Sequence, residues 1–228
     1  QAREENPAMG WRSLRFALDR PGLFRRQLRA LCRAAAGRAL SVMFPLVTTS
    51  DEFRRAREML ENEVEWCVQH GRERPTSVEV GAMIETPAFA LSFHELKGEI
   101  NFLSIGTNDL HQYFFAADRD NRAMARRYPV VSKPFLEFLK DIRNRAADCD
   151  VPISICGESA GNPFFAQIFV LLGFRRLSMP TSAVGSVKQA IRMLNISEKK
   201  QSFDELMQQN SAQLEKDLLN LLQHDAQV

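Results

Sequence analysis

The chain has 228 residues, 45% hydrophobic and 25% charged, the balance of an ordinary soluble domain able to bury a sizeable core. Lys plus Arg number 30 against 28 for Asp plus Glu, a formal charge of +2, which argues against a nucleic-acid-binding face. Cys32, Cys67, Cys149 and Cys156 form no C-x-x-C pair, and no leader or apolar run of membrane-spanning length is present, so a reducing cytoplasm is the expected home. Gln1 in place of an initiating Met reads as a piece of a longer protein.

Along the chain, short apolar runs alternate with amphipathic segments, the pattern of β/α units around a parallel sheet. Leu40 to Leu46 reads as a buried strand closed by Pro45. Thr49 and Glu52 then fit a capping box, followed by a helix of about 20 residues with Phe53, Ala56, Met59, Leu60, Val64 and Cys67 on one face. Val78 to Ile84 is the next strand, ending at Glu85-Thr86-Pro87. Phe102 to Ile105 follows, with Gly106-Thr107-Asn108-Asp109 as its carboxyl-end loop. Val151 to Ile155 leads into Cys156-Gly157-Glu158, and Asn162-Pro163 opens a helix as N-cap and first residue. Arg176 to Met179 is a last short strand.

Beyond Ser197 the chain turns polar and Gln-rich. Ser202 and Glu205 suggest another capping box, and Phe203, Leu206, Met207, Leu214, Leu218, Leu221 and Leu222 a helical stripe packed on the body or on a second copy. The expected class is α/β, with five strands in β/α units over residues 1–196 and a helical tail over 197–228; the resemblance given below makes this an incomplete (β/α)8 TIM-type barrel with about five of eight strands.

Polar residues recur where the strands end, which in a β/α barrel is where active sites are built. Glu85 and Asp109 lie 24 residues apart, about one β/α unit, so adjacent strands would set two carboxylates over one rim. Such a pair suits Mg²⁺, which takes a few carboxylate oxygens and fills its shell with substrate oxygens and water. Asn108 offers an amide to an anion, and Arg12 and Arg119 are candidate clamps, because guanidinium forks match phosphate and carboxylate. Cys156, by residue type alone, is open between core filler, nucleophile and general acid.

Four strings in order carry a resemblance: Glu5-Asn6-Pro7-Ala8-Met9-Gly10-Trp11-Arg12, Met83-Ile84-Glu85-Thr86-Pro87-Ala88, Gly106-Thr107-Asn108-Asp109-Leu110 and Cys156-Gly157-Glu158. From about residue 5 to 195 the chain resembles the phosphoenolpyruvate-utilising enzymes, which include Enzyme I of the sugar phosphotransferase system, pyruvate phosphate dikinase and phosphoenolpyruvate synthase. Asn6-Pro7, Gly10-Trp11-Arg12 and the Cys-Gly-Glu-x-Ala-Gly form point to Enzyme I. Arg15-Phe16-Ala17-Leu18-Asp19-Arg20-Pro21, with no Arg before Val42-Met43-Phe44-Pro45, looks most like its nitrogen-related branch.

The resemblance implies that Glu85 and Asp109 hold Mg²⁺, that Arg12, Asn108, Asp109 and Arg119 form the substrate site, and that Cys156 protonates C3 of the enolate. It implies transfer of the phosphoryl group to a His in an amino-terminal domain outside this chain and on to a phosphocarrier protein, with release of pyruvate. A homodimer, no membrane partner and no nucleic acid are the matching expectations. A dikinase- or synthase-type enzyme and a catalytically degraded dimerising or sensing barrel are the alternatives.

The chain departs from the pattern at Ser41, where sugar-system Enzyme I has a substrate-binding Arg, at Asn162 in place of Asp, and at Ser159 in place of an apolar residue. At Ser41 the expectation is weaker or differently oriented phosphate binding, relieved in Ser41→Arg. The four His (His70, His94, His111, His224) lie outside any phosphohistidine motif, so the chain alone is not expected to phosphorylate a carrier.

Overall fold

The computed structural model describes residues 4–209 and 213–223. The chain divides into two compact units, Gln1–Leu103 and Ser104–Val228. Among the described residues one five-stranded sheet runs in the order β1-β2-β3-β4-β5, strand order following chain order as in a β/α barrel. The strands are β1 (Leu40–Phe44), β2 (Val78–Ile84), β3 (Phe102–Gly106), β4 (Ile153–Cys156) and β5 (Leu177–Ser178), and β3 straddles the boundary. No helix among the described residues is long and apolar enough to cross a membrane.

In the first unit, α1 (Ser13–Asp19) and α2 (Pro21–Ala35) precede β1; Pro21 supplies a fixed φ at the first position of α2. The helix α3 (Ser50–Gln69) starts at the expected capping box: Thr49 accepts the Glu52 N–H, and Glu52 Oε2 accepts the Thr49 N–H. Phe53, Ala56, Leu60, Val64 and Cys67 are buried as expected, and Met59 is half-buried. Edge-to-face contacts run from Phe24 to Phe44 and from Phe44 to Phe53, each with centroids 6.0 Å apart. The helix α4 (Pro87–Ser92) follows β2 directly.

The strands β1 and β2 pair in parallel, Leu40 opposite Val78 through Phe44 opposite Ala82. The expected wholly buried strand is corrected here. Val42 and Phe44 are buried, but Ser41 and Met43, one residue out of phase, lie exposed on the opposite face. The strand also stops at Phe44, because Leu46 takes a left-handed φ of 53° that no strand continues through.

The second unit holds α5 (Thr107–Phe115), α6 (Arg122–Arg127), α7 (Lys133–Asp148), α8 (Pro163–Leu171), α9 (Val184–Met193), α10 (Ile196–Gln208) and α11 (Leu214–Gln223). The strands β4 and β5 pair in parallel. Asn162 caps α8 as expected, accepting the N–H groups of Phe164 and Phe165. Two expectations need correcting. The segment Thr107-Asn108-Asp109 is the first turn of α5 rather than a loop. Ser202 and Glu205 lie inside α10, which starts earlier because Asn195 caps it by accepting the Glu198 N–H. Of the tail stripe, Phe203, Met207, Leu214, Leu218 and Leu222 are buried, and α10 and α11 both pack on α8. His224 falls outside the described residues.

Candidate active site

In the first unit Glu85 follows β2 directly and is 6% exposed. Its Oε2 accepts the N–H of Leu46 at 2.6 Å, so the left-handed backbone at Leu46 turns a peptide dipole onto the carboxylate. Thr86 donates its hydroxyl to the Val47 carbonyl at 3.2 Å and, as N-cap of α4, accepts the Phe89 N–H. The carboxyl ends of β1 and β2 are thereby stitched together around Glu85. Arg12 is the half-buried N-cap of α1, its backbone extended.

Ser41 is not poised at that rim. It is the second residue of β1 and donates its hydroxyl to Glu79 Oε2 at 2.9 Å. That hydroxyl is thus engaged by a neighbouring carboxylate.

In the second unit Asn108, Asp109, Arg119 and Cys156 come together. Asp109 is 6% exposed and occupies the first turn of α5, where the helix dipole favours an acid. Ala116, left-handed at φ 50°, ends α5 and turns the chain back. The returning segment is fastened by Gln112, whose side chain accepts the Arg119 N–H at 3.2 Å, and Arg119 Nη1 then donates to Asp109 Oδ1 at 3.3 Å.

Cys156 ends β4. Its thiol donates to the Ile105 carbonyl at 3.3 Å, while its own carbonyl accepts the Thr107 hydroxyl at 2.9 Å. The next residue, Gly157, has φ 111°; a Cβ there would lie 2.6 Å from Thr107 Oγ1 and 3.1 Å from Asn108 Oδ1. Glycine is therefore required both for the turn and for the approach of Asn108.

Asn108 and Arg119 line a cavity of about 560 Å³ together with His111, Glu158 and Ser159. Burial holds the His111 imidazole below its ordinary pKa, against backbone carbonyls at Pro129 and Tyr128 that favour its charged form. Sequence reasoning passed over Thr107, Leu46 and Thr86. Thr107 stood within the quoted Gly-Thr-Asn-Asp string, but Leu46 acts through its backbone and left no residue-type signal.

Residues 1–196 match the family described as PEP-utilising enzyme, PEP-binding domain. The chain belongs to that family. It is 38% identical over 196 residues to a "Phosphoenolpyruvate-dependent phosphotransferase system" protein of Salmonella typhimurium, covering 84% of this chain and 26% of that protein. It is 36% identical over 195 residues to a phosphoenolpyruvate-protein phosphotransferase of Latilactobacillus sakei, covering 86% and 34%. The chain thus spans about a quarter to a third of the length of these curated relatives. A solved citrate lyase from Burkholderia xenovorans LB400 matches with TM-score 0.55 at 14% identity, covering 89% of this chain and 68% of that one, a likeness of fold.

Proposed function

We propose that this chain is the phosphoenolpyruvate-binding barrel of an Enzyme I-type phosphoenolpyruvate–protein phosphotransferase, most like the nitrogen-related branch. The reading rests on the grouping of Asn108, Asp109 and Cys156 at the ends of β3 and β4 with Arg119, which returns onto Asp109 after α5; Asn108 and Arg119 line one cavity.

Arg12, Asn108 and Arg119 bind the carboxylate and phosphate of the substrate. Glu85 and Asp109 are buried hard-oxygen donors, one steadied by a backbone N–H and the other by a guanidinium, and each is of the chemistry that would hold Mg²⁺. A cation held by two carboxylates would complete its shell from substrate oxygens and water. Bound Mg²⁺ would neutralise charge on the transferring phosphoryl group and the developing enolate. The phosphoryl group passes to a His outside this chain and then to a phosphocarrier. The P–O bond breaks toward oxygen, and the Cys156 S–H proton moves to C3, giving pyruvate and a thiolate that water reprotonates. The whole enzyme is read as a cytoplasmic homodimer.

Calorimetric titration of phosphoenolpyruvate into the full-length protein tests this. Binding should require Mg²⁺ and be lost in Glu85→Gln, whose amide oxygen still accepts the Leu46 N–H and spares the fold. Cys156→Ala should bind but not release pyruvate. Binding indifferent to both Mg²⁺ and Glu85→Gln would overturn the assignment.

A further inference from the structure

In the first unit one guanidinium bonds two separate segments. Arg15 sits on α1, three residues beyond Arg12, and its Nη1 donates to the carbonyls of Met9 at 2.9 Å and Gly10 at 3.2 Å. Its Nη2 reaches Thr48 Oγ1 at 3.4 Å. The acceptors belong to two separate segments: the loop that presents Arg12, and the connection from β1 to α3. That connection is the one already tied to Glu85, through the Leu46 N–H, and to Thr86, through the Val47 carbonyl. Arg15 is therefore a link between the Arg12 loop and the Glu85 loop.

The Arg12 loop is held in a shape it would not adopt alone. Ser13, immediately after Arg12, has a left-handed φ of 52°. The Trp11 N–H is captured by the Glu4 carboxylate at 3.0 Å, and that carboxylate fills the space a Cβ on Gly10 would need. The Trp11 ring N–H donates to Asp19 at 2.8 Å, and the Arg20 guanidinium lies 5.4 Å above the ring. Strain of this kind survives only where the surroundings over-determine it, as they do at ligand clamps. The side chain this loop presents is Arg12.

Three acceptors on two segments call for a planar group with several fixed N–H vectors, which a guanidinium has and an ammonium lacks. We propose that Arg15 is a positioning residue. It locks the Arg12 loop to the β1–α3 connection, and so to Glu85, and thereby fixes where Arg12 meets the anion. This rests on the reading of Arg12 as an anion-binding residue.

A double-mutant cycle on the full-length protein tests it, with phosphoenolpyruvate affinity measured calorimetrically in Mg²⁺ and thermal unfolding recorded for each variant. Arg15→Gln should weaken binding about tenfold, and Arg15→Lys should recover only part of that. Thr48→Val, which deletes one hydroxyl, should lose affinity in the same direction by a smaller factor. In an Arg12→Ala background, Arg15→Gln and Thr48→Val should cost nothing further, because there is no guanidinium left to position; a merely structural role would cost the same in both backgrounds. Should Arg15→Gln fail to fold, the Thr48→Val arm of the cycle decides alone. Equal losses in the two backgrounds, or no loss in the protein that retains Arg12, overturn the positioning role and leave the Arg12 reading standing. Unchanged binding in Arg12→Ala itself sinks both.

Discussion

Thr107 donates its hydroxyl to the Cys156 carbonyl at 2.9 Å, tying the first residue of α5 to the last residue of β4. The bond sets the chain direction just before Gly157, whose φ of 111° few L-residues adopt. Gly157→Ala should therefore cost about 1–3 kcal/mol. The new methyl would also press on Thr107 Oγ1 and Asn108 Oδ1, breaking the hydroxyl bond and displacing the amide. Urea unfolding should show the loss, and phosphoenolpyruvate titration a fall in affinity of at least about tenfold. Thr107→Val, which removes only the hydroxyl, should cost about 1 kcal/mol.

Cys32 on α2 is 2% exposed, and burial first, then the neighbouring Cys67 thiol, push its pKa up from 9.0 to about 11. The unfolded chain loses this proton more readily than the folded one. The contribution to stability is thus complete below pH 9 and lost as pH rises toward 11, about 2 kcal/mol of it by pH 10.5. Denaturant unfolding at pH 7.5 and 10.5 checks this: the difference between the two should shrink by about that amount in Cys32→Ala.

Glu63 on α3 is 1% exposed and is bonded by the guanidinium groups of Arg25 and Arg29 from α2. Burial alone would raise its pKa, but the hydrogen bonds and charges of the two arginines outweigh it and hold the carboxyl below its usual range. A depressed folded value contributes stability above the unfolded pKa, and that contribution is lost as pH falls. Because Arg25 is half-exposed, Glu63→Gln should cost only about 1–2 kcal/mol at pH 7. Acid unfolding curves should show the variant losing less stability than the wild type below about pH 5.

Where residue type decides structure, the sequence was sufficient. The capping box at Thr49 and Glu52 and the Asn162-Pro163 start are local chemistry, and both formed as expected. The capping signature at Ser202 misled because Asn195 caps the helix seven residues earlier. Lys200 and Gln201 then found Asp204 and Glu205 one turn on, ordinary pairs of a helix interior. At the candidate site, side chains with distinctive chemistry were legible, whereas contributions made through the backbone were not. The Leu46 N–H on Glu85 and the Met9 and Gly10 carbonyls under Arg15 could come from any residue type, so no alphabet of side chains announces them. Ser41 shows the converse: the departure from the family was visible, but its engagement by Glu79 depends on the register of β1 against β2.

The Arg119–Asp109 bond has a thermodynamic corollary. A cation that took the Asp109 oxygen would weaken its contact with the guanidinium, and an anion that paired with the guanidinium would weaken its hold on that oxygen. Each guest thus removes a competitor of the other, and by reciprocity the help must be equal in both directions. In the proposed site, a salt contact at rest would become, on occupancy, the means by which opposite charges recruit one another.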